Sequence, residues 1–283
     1  MRINNENEID SINEINGIPI EEIEDRSKKI DDNTEYKDTY RYRSFDGFLG
    51  DNEKFKERLH KDWQLIKEWN KFYNKSLSHQ ELSGYLSDVI RQCENERLQK
   101  SLGPMTPIRL NYQIPETLVT YTMDKGEKLR EVQLEINKNI YNGFQYSLFY
   151  NTAISENDIW NQKWSWDYKI KNLQNQIEIT VSGSHDKGIL IYIKELGFYE
   201  GDESNTYRID PMIAISLLNG VTDQFTTTSF KLQKDKQIYK LNSQILLLQQ
   251  QIKPENKKDH NDYLQFEIQN LLNNINKIQE EVS

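Results

Sequence analysis

Small residues between a strand and a helix are a recurrent anion-holding arrangement, because the first amides of a helix have no partner within it and carry the positive end of its dipole. The stretch VSGSHDKG, residues 181–188, has that order of residue types. Ser182, Gly183 and Ser184 would offer N–H groups, and Lys187 would add a positive charge. Downstream, GDESNTYR places Glu200 and Arg208 at the two ends of an acidic loop. Ser184, His185, Lys187, Glu200 and Arg208 are therefore the candidate ligand-binding residues. The motif is thin: one glycine is far from GxxxxGK[ST], and Asp186 would itself occupy the positive end of the helix. Ser184 and Asp186 are more simply helix caps. Consecutive Ser184, His185 and Asp186 do not make a triad, whose members the fold must bring together.

Other familiar chemistries lack their residues. The four histidines, His60, His79, His185 and His260, show no metal-ligand spacing, and the calcium ladder of alternating acids is missing. Glu195, Glu200, Asp202 and Glu203 are close in sequence, yet EGDES reads as solvated, without the apolar pocket that raises one carboxyl of a catalytic pair. Cys93 falls on the apolar side of an expected helix and reads as inert core. Trp160, Trp164 and Trp166 beside Tyr168 read as core aromatics of a half-buried strand. No catalytic residue, metal or cofactor is assigned from the sequence.

The elements that would position these residues follow from hydrophobic period. Phe55, Leu59, Trp63, Ile66 and Trp69 recur every three or four residues after Asp51, an expected helix cap. Ser78 and Glu81 make a capping box for a second helix through Leu82, Leu86, Val89, Ile90 and Cys93, stopped by Gly103, Pro104 and Pro107. From Ile108 the period becomes two: IRLNYQ, TLVTYTM and LREVQLEI read as strands, the last two joined as a hairpin through residues 124–126. FQYSLFY is a candidate fourth strand. WSWDYKIKN and QIEITVSG form a further hairpin around LQN. Two helices follow, one from about Asp186 to its terminator Gly197, the other opened by Asp210 and Pro211 and closed by Gly220.

In the last sixty residues Ile238, Leu241, Ile245, Leu248 and Ile252 step by three and four, as do Leu264, Ile268, Leu271, Ile275 and Ile278 beyond a polar break at Pro254. Each seam is short for a stable lone helix, so the two are expected to bury it in an antiparallel hairpin or against another chain. Flanking Asn242, Gln244, Gln249 and Gln251 carry no charge code for a partner, and Leu246 and Leu247 add apolar surface outside the seam.

Charge is uneven. Residues 1–40 hold twelve acids against five bases, which leaves little of the net charge of −9 for the remainder. That stretch reads as an acidic disordered leader, followed by an α+β domain over 41–222, a mainly antiparallel sheet flanked by helices, and a heptad helical hairpin over 223–283. A near-neutral body without a basic stripe disfavours nucleic acid. With one cysteine, no apolar signal core at the start and no membrane-length apolar run, the chain reads as soluble and intracellular, cytoplasmic or nuclear.

The run IEITVSGSHDKGILIYIKELGFYEG followed by YRIDP resembles the closing portion of an uncharacterised bacterial domain family in which a strand, a helix and GFFEG…YRVDP recur. FKERLHKDWQLI and LSHQELSGYL are similar to its opening portion, so the resemblance covers about residues 41–220. It implies no function. In that family the helix before the glycine often bears histidines, whereas the matching positions here are Ile191 and Leu196, so the resemblance implies no imidazole chemistry on that helix. The expectation is a non-enzymatic binding or scaffold protein that meets a protein partner or its own copies through residues 223–283. An enzyme or small-anion-binding domain using the 182–187 turn and the 200–208 loop is the alternative.

Overall fold

The structure, a computed structural model, describes residues 2–26, 49, 54–121, 126–141, 149, 165–185, 187–201, 207–253 and 258–280. The chain divides into two compact units, Met1–Thr226 and Thr227–Ser283.

The first unit opens with an ordered segment where a disordered leader was expected. A 3-10 turn over Glu6–Ser11 leads into a tiny hairpin, β1 (Glu14–Ile15) and β2 (Ile18–Pro19), and then into helix α1 (Ile20–Arg26). Ile3, Ile9, Ile12, Ile15, Ile18, Ile20 and Ile23 are all buried. Mean composition hid this. The described acids lie between the isoleucines and none of them is buried, so each isoleucine contributes about 1.5–3 kcal/mol of burial while the charges keep contact with water. The remainder of the expected leader, residues 27–40, lies outside the described residues.

Helix α2 (Phe55–Tyr73) follows, with Lys54 rather than Asp51 as its cap residue. Its buried stripe is Phe55, Arg58, Leu59, Asp62, Ile66 and Trp69, and Trp63 is only half-buried. Helix α3 (His79–Gln99) starts at the expected capping box: the Glu81 amide donates to Ser78 Oγ at 3.2 Å and the Ser78 amide to the Glu81 carboxylate at 2.9 Å. Cys93 is buried.

Four antiparallel strands then run as a meander: β3 (Ile108–Gln113), β4 (Glu131–Tyr141), β5 (Ser165–Asn172) and β6 (Glu178–Ser182). The β5–β6 hairpin is as the pattern indicated. The described residues of TLVTYTM, 117–121, in contrast, supply no strand. Leu118 and Val119 are buried within the β3–β4 connection, Tyr121 makes an isolated bridge to Lys128, and β3 pairs directly with β4. Most of FQYSLFY lies outside the described residues. One sheet face is apolar, with Leu110 opposite Leu134 and Ile170 opposite both Ile136 and Ile179. The other carries charges such as Arg109 and Glu135, 3.0 Å apart. Such a sheet needs cover on one side only.

That cover is helical. Helix α4 (Ile189–Leu196) packs on α3, and α5 (Pro211–Asn219) lies against α2, α3 and the sheet. All nine residues of α5 are buried, as for a helix apolar on every side. Asp210 caps it by accepting from the amides of Met212 and Ile213 at 2.9 and 3.2 Å. The fold is α+β, an antiparallel sheet with flanking helices.

Helix α6 (Gln224–Gln251) begins at the end of the first unit, where the Thr226 amide donates to Asp223 Oδ1 at 2.9 Å, and α7 (Lys258–Glu280) follows within the second. Along the two seams Ile245, Leu264 and Ile275 are buried, whereas Ile238, Leu241, Leu248, Ile252, Ile268, Leu271 and Ile278 are half-buried. Among the described residues no helix is long and apolar enough to cross a membrane.

Candidate functional site

The candidate residues have unlike surroundings once folded, from exposed Lys187 to fully buried Arg208. Gly188, with φ 76°, is the cap residue of α4 in place of the expected Ser184, and it offers no side chain to the helix, while the other expected cap, Asp186, lies outside the described residues. The turn is instead fastened to α3 by Ser87, whose hydroxyl donates to the His185 carbonyl. Ser184 and His185 are half-buried and Lys187 is exposed. With only eight residues in α4 and a glycine before it, this turn shows no built anion cradle.

Arg208 has gone inside. Its guanidinium donates from Nη2 to Asp62 Oδ1 at 2.6 Å and from Nη1 to Asp62 Oδ2 at 3.3 Å, a two-pronged pair with both side chains fully buried. Arg58, one turn before Asp62 on α2, donates to Oδ1 at 2.9 Å. Asp210 stands 3.6 Å from Arg208, and the Glu200 carbonyl accepts from Arg208 at 3.5 Å. Two cations therefore meet two anions inside the core, joining α2 to the cap of α5. Burial alone would push the Asp62 carboxyl up, but the Arg208 and Arg58 charges and hydrogen bonds outweigh it and hold the group below its ordinary value. Glu200 is half-buried in the left-handed region at φ 62°. Burial, with a smaller contribution from the Asp167 carboxylate, pushes its carboxyl up to about 8. Glu200 is thus tied to Arg208 through its backbone carbonyl.

A second polar centre, absent from the sequence reading, forms beside this one. His79, the first residue of α3, is 7% exposed and hydrogen-bonds through Nδ1 to the Tyr199 hydroxyl at 2.7 Å. Burial holds the imidazole at about 4, against a smaller opposing pull from Asp62, so the ring is neutral at neutral pH. Burial likewise pushes the Tyr199 phenol well above its ordinary value. Trp63 stacks against His79 with ring centroids 4.3 Å apart and donates its indole N–H to the Leu196 carbonyl at 3.2 Å. The approach requires glycine at 197: a Cβ there would lie 2.3 Å from Trp63 Nε1 and 3.1 Å from His79 Cγ, at φ 66°.

His79, Trp63 and Gly197 form part of the wall of a cavity of about 500 Å³ between the N-terminal segment, α2, the start of α3 and the end of α4. A smaller polar hollow of about 430 Å³ between α3 and β3 is lined by Gln92, Glu96, Arg109 and Asn111. Among the described residues no group of three His, Cys, Asp or Glu side chains is placed to hold a metal ion.

The missed residues had one legible signal. Phe55, Leu59, Asp62, Ile66 and Trp69 step by four and three, so Asp62 stands on the buried stripe of α2. A carboxylate on an apolar stripe demands a buried cation. The pairing of His79 with Tyr199, 120 residues away, has no local signature.

No family model, no curated protein and no solved structure matches this chain. The functional reading accordingly rests on its own residues.

Proposed function

We infer that this protein is a non-enzymatic binding or scaffold protein that assembles with its own copies through residues 227–283. The carrying observation is the surface of α6 and α7, where Leu232, Tyr239, Leu246, Leu247, Tyr263, Phe266 and Leu272 are 39–67% exposed. Seven large apolar side chains on a unit this small exceed the scattered exposure normal for a protein surface. The seam residues argue the same way, because most are only half-covered within one chain. Two helices can enclose one side of a seam; closing it takes further helices, which a second copy supplies as a bundle. Residues 227–283 carry eight lysines and seven acids, so like charge does not oppose the pairing. The exposed Asn and Gln beside the seam set no heterotypic charge code. The lone, buried Cys93 suits a reducing, intracellular setting.

The test is sedimentation equilibrium of the full chain carrying Leu248→Asn together with Leu271→Asn. Self-association that weakens at least tenfold, about 1.4 kcal/mol, supports the reading. Unchanged association, or a wild-type chain that is monomeric throughout, removes it.

A further inference from the structure

The cavity at the start of α3 lies wholly within the first unit and plays no part in the assembly reading. Its floor is apolar, formed by Trp63, Ile66 and Leu77, and its rim holds Arg2, Lys67 and Lys194 with one acid, Glu6. Lys67 already meets Glu6 at 2.9 Å. Arg2 and Lys194 are exposed and make no ion pair with any described residue. Two cations thus line the cavity without a counter-ion among the described residues.

The donors inside it are also unused. Among the described residues the Tyr199 hydroxyl has no hydrogen-bond partner but His79, and because a buried O–H without an acceptor is costly we assign it as the donor to Nδ1. A neutral imidazole that accepts at Nδ1 carries its proton at Nε2. That Nε2–H has no partner among the described residues, on a side chain 7% exposed in the cavity wall. The amides of His79 and Gln80, the first two positions of α3, have no carbonyl partner within the helix and sit at its positive end. The Glu81 carboxylate, which would compete for that end, is engaged by the Ser78 amide and hydroxyl at 2.9 and 2.7 Å. Nor does the end of α4 offer spare acceptors. The Glu195 carbonyl takes the Ile3 amide at 2.7 Å, and that of Leu196 takes the Trp63 indole. Three cations against one carboxylate, with a buried N–H donor and apolar side chains in the same lining, are the complement of an oxyanion on a small organic body.

We propose that this cavity is a binding site for a small oxyanion, a carboxylate or phosphate, held by His79 Nε2–H and the first amides of α3 and attracted by Arg2 and Lys194. The volume suits a small metabolite rather than a polymer.

The experiment is an NMR titration of the full chain, following the His79 ring resonances, with inorganic phosphate, with acetate and with chloride at matched ionic strength. A saturable His79 shift with phosphate or acetate but not with chloride is expected, and which of the two binds tells a phosphorylated ligand from a carboxylate. Lys194→Gln and Arg2→Gln, changes of exposed side chains that should leave the melting temperature unmoved, are each expected to weaken binding about five- to tenfold, the loss of one charge-assisted contact. Lys100→Gln, at the far end of α3, is expected to leave it unchanged. No saturable shift with either oxyanion, an equal response to chloride, or equal binding by the wild type and both rim variants would overturn the proposal.

Discussion

Asp62 and Arg208 meet with both side chains out of water, 146 residues apart in sequence, so removing one leaves the other charged and unsolvated. Arg208→Met is expected to cost about 3–5 kcal/mol in chemical denaturation. A loss under about 1 kcal/mol, the scale of a surface pair, would contradict the burial. Glu200 makes the opposite kind of prediction. Its raised value means that the folded chain binds this proton more tightly than the unfolded chain does. Stability therefore falls as pH rises from about 4.5 towards about 8. Glu200→Gln is expected to melt above the wild type at pH 8, with the gap closing towards pH 4.5; a variant that melts lower at pH 8 would show that the carboxylate is stabilising. His79 runs the other way, because its folded value lies below its ordinary one. Its contribution is present above 6.5 and is lost as pH falls towards 4. At this scale the sequence was least legible. The acids of the 200–208 loop looked uniformly wet, yet Arg208 is buried and Glu200 is half-buried, because partners for such residues come from distant elements and leave no local period.

At the scale of elements, punctuation was the legible part. Ser78 with Glu81, Gly197, Asp210 with Pro211, and Gly220 all stand at helix ends as their chemistry requires. The two-residue period found β3, β4, β5 and β6. It failed at TLVTYTM, where alternation came from a buried connection whose Leu118 and Val119 are held without a strand partner. Heptad-like stepping in α2 was read one residue off, on Trp63 in place of Asp62, since a tryptophan is the more plausible core residue. Gly197 separates backbone from packing effects. Gly126, also left-handed at φ 64°, has open space around its would-be Cβ, whereas Gly197 has Trp63 and His79. Gly126→Ala is expected to cost about 1 kcal/mol, and Gly197→Ala at least about 2 kcal/mol more, since stacked rings must shift. Equal costs in urea denaturation would mean that Trp63 does not press on Gly197.

At the scale of the whole molecule, hydrophobic stepping gave the second unit correctly as helices either side of a break. Bulk composition misjudged the start of the chain: averaging over forty residues diluted seven buried isoleucines among twelve acids. How far those helices cover their seams is a different matter, since a half-covered seam is a property of the folded surface and not of its period. The most direct measurement is the molar mass by light scattering of the full chain and of residues 1–226 across a range of concentrations. Self-assembly through α6 and α7 predicts a multiple of 33.7 kDa for the full chain and a monomer for the shorter one. A full chain that stays at 33.7 kDa, or a shorter chain that still associates, would contradict it.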